Sequence, residues 1–257
     1  FRPKEFRSSR HTLVPSPNVI FYDPLSGKMV NLKTVDLSGS GFAVEEDEET
    51  SVLVPGKIIP EVQIDFANVT VFTCRAQVIY RNARKDPDGN VTIRCGLVIL
   101  DMDIRDHVRL LALLHQAADQ NTYVCNRVNL ESLWDLFFET GFLYPRKYAF
   151  LQAHRDQFRD TYARLYTQNP HIARHFVYQK DGTILGHIAM VRFYENTWLI
   201  HHHAARKSVM TGAGLVVLEQ LSRSIIDTRN LLSAHMNFLI SYFRPDNKFP
   251  SRVFGAF

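Results

Sequence analysis

Val35-Asp36-Leu37-Ser38-Gly39-Ser40-Gly41-Phe42 is the stretch on which the reading of this chain turns. An apolar/polar alternation enters it and another leaves it. Between them stand short side chains that cap backbone groups, and glycines that allow close approach or positive φ. Such a segment predicts a strand, a tight turn and a second strand. The neighbouring sequence repeats the pattern. Val19–Tyr22 and Met29–Val35 flank the turn signals Asp23-Pro24 and Ser26-Gly27, and Gly41–Val44 leads into the acidic run Glu45–Glu49, read as a solvated loop. Val62–Phe66, Val69–Ile79 and Val91–Leu100 follow, the last two joined by Asp86-Pro87-Asp88-Gly89. Short strands spaced 8–12 residues apart imply an antiparallel barrel, which a helix from about Asp106 to Ala118 would flank.

Twenty-six residues before Asp36 a basic segment ends at Arg10, preceded by Arg2, Lys4 and Arg7. The motif Asp36-x-Ser38-x-x-Gly41 with this arm, and the late strand Cys95-Gly-Leu-Val-Ile-Leu-Asp101, resembles the PilZ family over residues 1–117. That resemblance implies binding of cyclic di-GMP through Arg7, Arg10, Asp36, Ser38 and Gly41. Arginine's planar fork suits phosphate and the O6/N7 edge of guanine, and Asp36 would accept from guanine N1 and N2. The arm reads Arg7-Ser-Ser-Arg10 where the family has Arg-x-x-x-Arg, which leaves the ligand stoichiometry open. A solvated basic tail and a turn stabilised only by its own caps are the alternative readings.

From about residue 118 the texture changes. Asn129-Leu-Glu-Ser132 would cap a helix through Phe138, and Leu151–Gln168 reads as one long helix ending before Asn169-Pro170. Strands are expected over His175–Gln179, Thr183–Tyr194, Trp198–His203 and Leu231–Ile240, with a helix at Leu215–Ile226 after a glycine-bearing loop. The order is similar to the GNAT acetyltransferase family over residues 125–257. That likeness implies binding of acetyl-CoA or a longer acyl-CoA by the loop Val209, Met210, Thr211, Gly212, Ala213 and Gly214, although Val209 stands where Arg or Gln is usual. Unpaired backbone N–H groups at a helix N-terminus are the physical basis of such pyrophosphate binding.

Amine acylation needs a base and an acid, for which Glu195, His201, His203 and Tyr242 are the candidates. Strand alternation would put His201 and His203 on one face and His202 on the other. Packed histidines and a plain strand-to-helix turn are the open alternatives. His235, Arg244 and Asp246 are further candidates for an acceptor pocket, and Asn247, Pro250, Val253 and Phe254 echo the family's tail.

The expectation is therefore an α+β protein of two domains. Residues 1–117 would form a PilZ-like barrel for cyclic di-GMP, and residues 118–257 a GNAT-like mixed α/β domain. The first would regulate acyl transfer by the second to an unknown amine acceptor. The alternative is a non-enzymatic effector whose second domain is a catalytically empty scaffold binding a partner protein or metabolite. Composition agrees with globular folding, at 46% hydrophobic and 22% charged residues. A net charge of +4, with the basic excess in the second half, lacks the dense stripe expected of a DNA-binding face. No apolar run approaches a membrane span, and Cys74, Cys95 and Cys125 are too few and too scattered for a disulfide framework or metal site. A cytoplasmic location is the expectation.

Overall fold

The computed structural model describes residues 8–85, 91–126, 128–206, 209–243, 251, 252 and 255. The chain divides into two compact units: residues 1–120 with 223–234, and residues 121–222 with 235–257. Residues 223–234 thus belong to the N-terminal unit although they lie far along the chain.

The first unit is a closed six-stranded antiparallel barrel. Its strands are β1 (Asn18–Asp23), β2 (Lys28–Ser38), β3 (Gly41–Asp47), β4 (Ile58–Phe66), β5 (Thr70–Lys85) and β6 (Val91–Met102), in the order β1-β2-β3-β6-β5-β4. Pairing of β1 with β4 closes it, Val19 lying opposite Ile64. Period-two alternation makes the core: Phe72, Cys74, Ala76 and Val78 point inward from β5, and Ile93, Cys95, Leu97 and Ile99 from β6. Helix α1 (Ile104–Ala118) follows, capped by Asp103, whose side chain accepts from the N–H groups of Arg105 and Asp106.

The acidic run is not a solvated loop throughout. β3 continues to Asp47, and Glu46 is buried, accepting from Ser51 Oγ (2.8 Å) and the N–H groups of Val52 (3.0 Å) and Leu53 (3.3 Å). A buried carboxylate satisfied by several donors closes the chain entry to β4.

The second unit holds a five-stranded mixed sheet, ordered β11-β10-β9-β8-β7. The strands are β7 (Thr122–Val124), β8 (Ala173–Lys180), β9 (Thr183–Tyr194), β10 (Thr197–Ala205) and β11 (Phe238–Ser241); only the β10–β11 pair is parallel. Helix α2 (Leu130–Glu139) packs Leu133, Leu136 and Phe137 against Val177, Ile184 and Ala204. Its cap is Asn129, as expected, accepting from Glu131 and Ser132 N–H.

Three expectations change here. The long helix is two, α3 (Tyr148–Ala153) and α4 (Arg155–Gln168), broken at His154. The strand expected over 231–240 is a 3₁₀ turn at Leu232–Ala234 and the short β11 alone; Leu231 and Ala234 are buried at a three-residue spacing, which suits a helical turn rather than a strand. β7 was not expected at all. Helix α5 (Ala213–Thr228) follows β10. Burial pushes the thiols of Cys74 and Cys95 up to about 12 and that of Cys125 to about 11, so none is a thiolate at neutral pH. Among the described residues no helix is long and apolar enough to cross a membrane.

Candidate functional site

The arm is tied to the barrel by one bridge. His11 N–H donates to Leu37 O (2.8 Å) and Leu37 N–H to His11 O (3.0 Å). That register brings Arg10 beside Asp36, where Arg10 Nη1 donates to Oδ1 at 3.0 Å. A second guanidinium, from Arg94 on β6, donates to the other oxygen, Oδ2, at 2.5 Å. Asp36 is 17% exposed, Arg94 19% and Arg10 43%, so the outer face of the cluster is the arm. Two cations on one carboxylate leave a net positive centre at the surface, the arrangement that attracts a phosphate.

The turn between β2 and β3 is built from serines. Ser38 is fully buried and donates to Gly41 O at 3.0 Å, while Ser40 Oγ lies 2.5 Å from Ser8 Oγ of the arm. Gly41 is needed for close approach rather than for positive φ: a Cβ there would stand 2.3 Å from the carbonyl oxygen of Leu97. Gly39 is similarly enclosed, since a Cβ would meet Leu111 Cδ2 at 2.4 Å and Asp227 Cβ at 2.7 Å.

Asp227, in the last turn of α5, is therefore a near neighbour of the turn within this unit. Burial raises its carboxyl to about 6, against opposing pulls from a Ser8 hydrogen bond, Arg10 and Arg223. The expected Arg10, Asp36, Ser38 and Gly41 thus meet at one place, and Arg7 lies outside the described residues. Sequence reading missed Arg94 and Asp227. Arg94 carried one signal, a cation between the inward Ile93 and Cys95 and so on the outward face; Asp227 carried an acid directly after two apolar helix residues, Ile225 and Ile226.

In the second unit the expected catalytic Glu195 stands apart from the histidines. Glu195 lies in the exposed β9–β10 turn, not on a strand, with its carbonyl accepting from Arg192 Nε. Six residues of chain separate it from His201, roughly 20 Å when extended. The histidines depart from simple alternation. His202 has φ +54° at a bulge between His201 and Ala204, so the His201 and His202 rings lie 4.0 Å apart rather than on opposite faces. His201 Nε2 is 2.8 Å from Tyr166 Oη, and His203 Nε2 is 2.9 Å from Gly214 O.

Burial lowers His201 to about 4 and His202 to about 3, and lowers His203 as well. These imidazoles are neutral but far less basic than an unperturbed one. His187 joins them, its Nδ1 donating to His202 O (2.9 Å) and its Nε2 accepting from Tyr162 Oη (2.7 Å). Tyr242 follows β11 and is exposed.

The glycine loop sits before α5, where a helix N-terminus offers donors. Val209 and Met210 N–H donate to Arg206 O, and Ala213 N–H to Met210 O, so part of the loop is hydrogen-bonded within itself. Gly214 and Gly186 let α5 approach the sheet: a Cβ on Gly186 would stand 2.7 Å from Ala213 O. Beside the loop, β10 runs on from His201 to Ala205 after its pairing with β11 ends at Ile200. Arg244, Asp246, Asn247, Pro250, Val253 and Phe254 lie outside the described residues. Among the described residues no group of three or more potential ligands is placed to hold a metal.

No protein-family model matches the chain, and no curated protein does. Among solved structures it is similar to the PilZ domain with c-di-GMP of YcgR from Escherichia coli, at 19% identity and TM-score 0.37, over 44% of this chain and 95% of that one. It is similar also to the K. pneumonia MrkH–c-di-GMP complex, at 16% identity and TM-score 0.39, over 47% of this chain and about half (56%) of MrkH. An acetyltransferase from Streptococcus agalactiae is similar at 15% identity and TM-score 0.38, over 53% of this chain and 80% of that one.

Proposed function

We propose that the barrel unit is a receptor for cyclic di-GMP, with Arg10 and Arg94 as phosphate and guanine ligands and Asp36 as their pivot and as acceptor for a guanine edge. The observation that carries this reading is the Arg10–Asp36–Arg94 cluster, set by the His11–Leu37 bridge above a serine turn. Each arginine spends its fork on one carboxylate oxygen, and a dianionic ligand offers better acceptors to both. Ser8 and Ser40 add hydroxyls on the same rim.

Calorimetric titration of the full chain with cyclic di-GMP tests it. Arg10→Ala and Arg94→Ala should each weaken binding by about 10–100-fold, the range for losing one charge-assisted bond. Wild-type affinity in both variants would overturn the assignment.

A second reading concerns the other unit: acyl-CoA-dependent N-acyl transfer, regulated by the nucleotide. The open stretch of β10 beside Gly212-Ala213-Gly214 and the exposed Tyr242 favour it. The internal hydrogen bonds of the loop and the weakly basic histidines favour the rival, a scaffold without catalysis. Titration with acetyl-CoA, with and without cyclic di-GMP, separates the two.

A further inference from the structure

Between α2, the α3–α4 pair and β10 the second unit holds a half-open cavity of about 160 Å³. Its walls are Leu133, Trp134, Phe137, Leu143, Leu151 and Phe158, with Tyr162 and His202 at the sheet side. Burial keeps His202 neutral and pushes the Tyr162 phenol well above its usual value, so neither brings a charge to the space. An apolar cavity near 150 Å³ takes molecules of about benzene's size. Packed interiors rarely leave such a space unfilled.

The rim is different. Arg159 lines the cavity and shares Glu131 with Arg155, Arg159 Nη1 lying 2.5 Å from Glu131 Oε1. Two guanidiniums thus face one carboxylate, with Asp156 a distant and exposed third party at 3.5 Å. The Nε atoms of both arginines are buried and have no acceptor among the described residues.

We infer that this cavity binds a short-chain carboxylate, with a hydrocarbon tail of about six to eight carbons inside and its head on Arg159. The tail matches the apolar walls, and the head matches the guanidinium of Arg159 in the lining. The site is separate from the glycine loop, and it stands or falls independently of the nucleotide and acyl-CoA readings.

Trp134 forms part of the wall and reports on occupancy. The full chain is titrated with straight-chain carboxylates from butanoate to dodecanoate and with the matching alcohols, by tryptophan fluorescence and calorimetry. Affinity should rise about fourfold per added methylene, then level off once the cavity is full. Carboxylates should bind more tightly than alcohols of the same length. Arg159→Gln should erase that preference while keeping the chain-length slope. Leu143→Trp, which fills the space, should abolish binding while the thermal transition is retained.

No chain-length dependence, or binding unchanged in Leu143→Trp, would overturn the inference. Acetyl-CoA binding without carboxylate binding would overturn it too, while leaving the transferase reading standing.

Discussion

Asp227 offers the sharpest test of how the serine turn is closed. Its carboxyl stands at about 6, against an ordinary value of 3.8, because burial outweighs the favourable pulls of Ser8, Arg10 and Arg223. One pKa unit corresponds to about 1.4 kcal/mol, so the ionised carboxylate costs the folded barrel unit about 3 kcal/mol once both states are ionised. The folded state holds this proton more tightly than the unfolded chain. The stabilisation is therefore fully present below 3.8 and is lost as pH rises through 6. Asparagine keeps the shape and removes the titration.

Over about pH 4.5 to 7.5, the Asp227→Asn variant should gain on the wild type by about 2 kcal/mol in unfolding free energy, most of it between 5 and 7. Urea unfolding at each pH, with hydrogen exchange at the β2–β3 turn, reads it. Taking the difference between variant and wild type removes titrations common to both. Parallel pH profiles would refute the reasoning, because they would mean that Asp227 is solvated or already paired. The same substitution should tighten cyclic di-GMP binding near neutral pH, where an ionised carboxylate beside Arg10 opposes an incoming phosphate. That gain should shrink as the medium is acidified.

The histidines predict the opposite pH dependence for the second unit. His175 and His201 are lowered to about 4 and His202 to about 3, chiefly by burial, so their contribution is present above 6.5 and lost as pH falls toward those values. Both tryptophans, Trp134 and Trp198, belong to this unit, so a fluorescence-monitored urea midpoint should fall steeply below about pH 5.5; a flat midpoint would show that the rings are solvated. Gly41→Ala would press a methyl group against the Leu97 carbonyl, 2.3 Å away on a paired strand, and should destabilise the barrel by about 1–3 kcal/mol in chemical denaturation.

What the sequence disclosed follows from the range of the interactions involved. The barrel was legible because alternation and turn chemistry act within a few residues. Asp36, Ser38 and Gly41 were legible together because one turn spans them. Arg94 lies 58 positions from Asp36, and only the β2–β3–β6 pairing makes them neighbours. Asp227 is further still along the chain, and reads locally as the polar exit of a helix. The histidine run misled because alternation assumes a regular pleat, whereas the positive φ at His202 turns adjacent rings together.

The cavity was beyond sequence reading for another reason. Leu133, Trp134 and Phe137 form an apolar stripe on α2, and a stripe predicts a packed face. Here the break at His154 divides the long helix in two, and both pieces contribute walls, Leu151 from α3 and Phe158 from α4. A cavity is a shortfall of packing, fixed by how several elements fail to meet, and no single element's pattern encodes it. The rim charges, in contrast, were in plain view as Glu131, Arg155 and Arg159, but nothing local in the sequence says that they stand together beside an apolar opening. Because the same three residues pair among themselves, their charge alone explains nothing. It is the conjunction of a guanidinium, that of Arg159, with an apolar interior that selects a ligand with one anionic end and one hydrocarbon end.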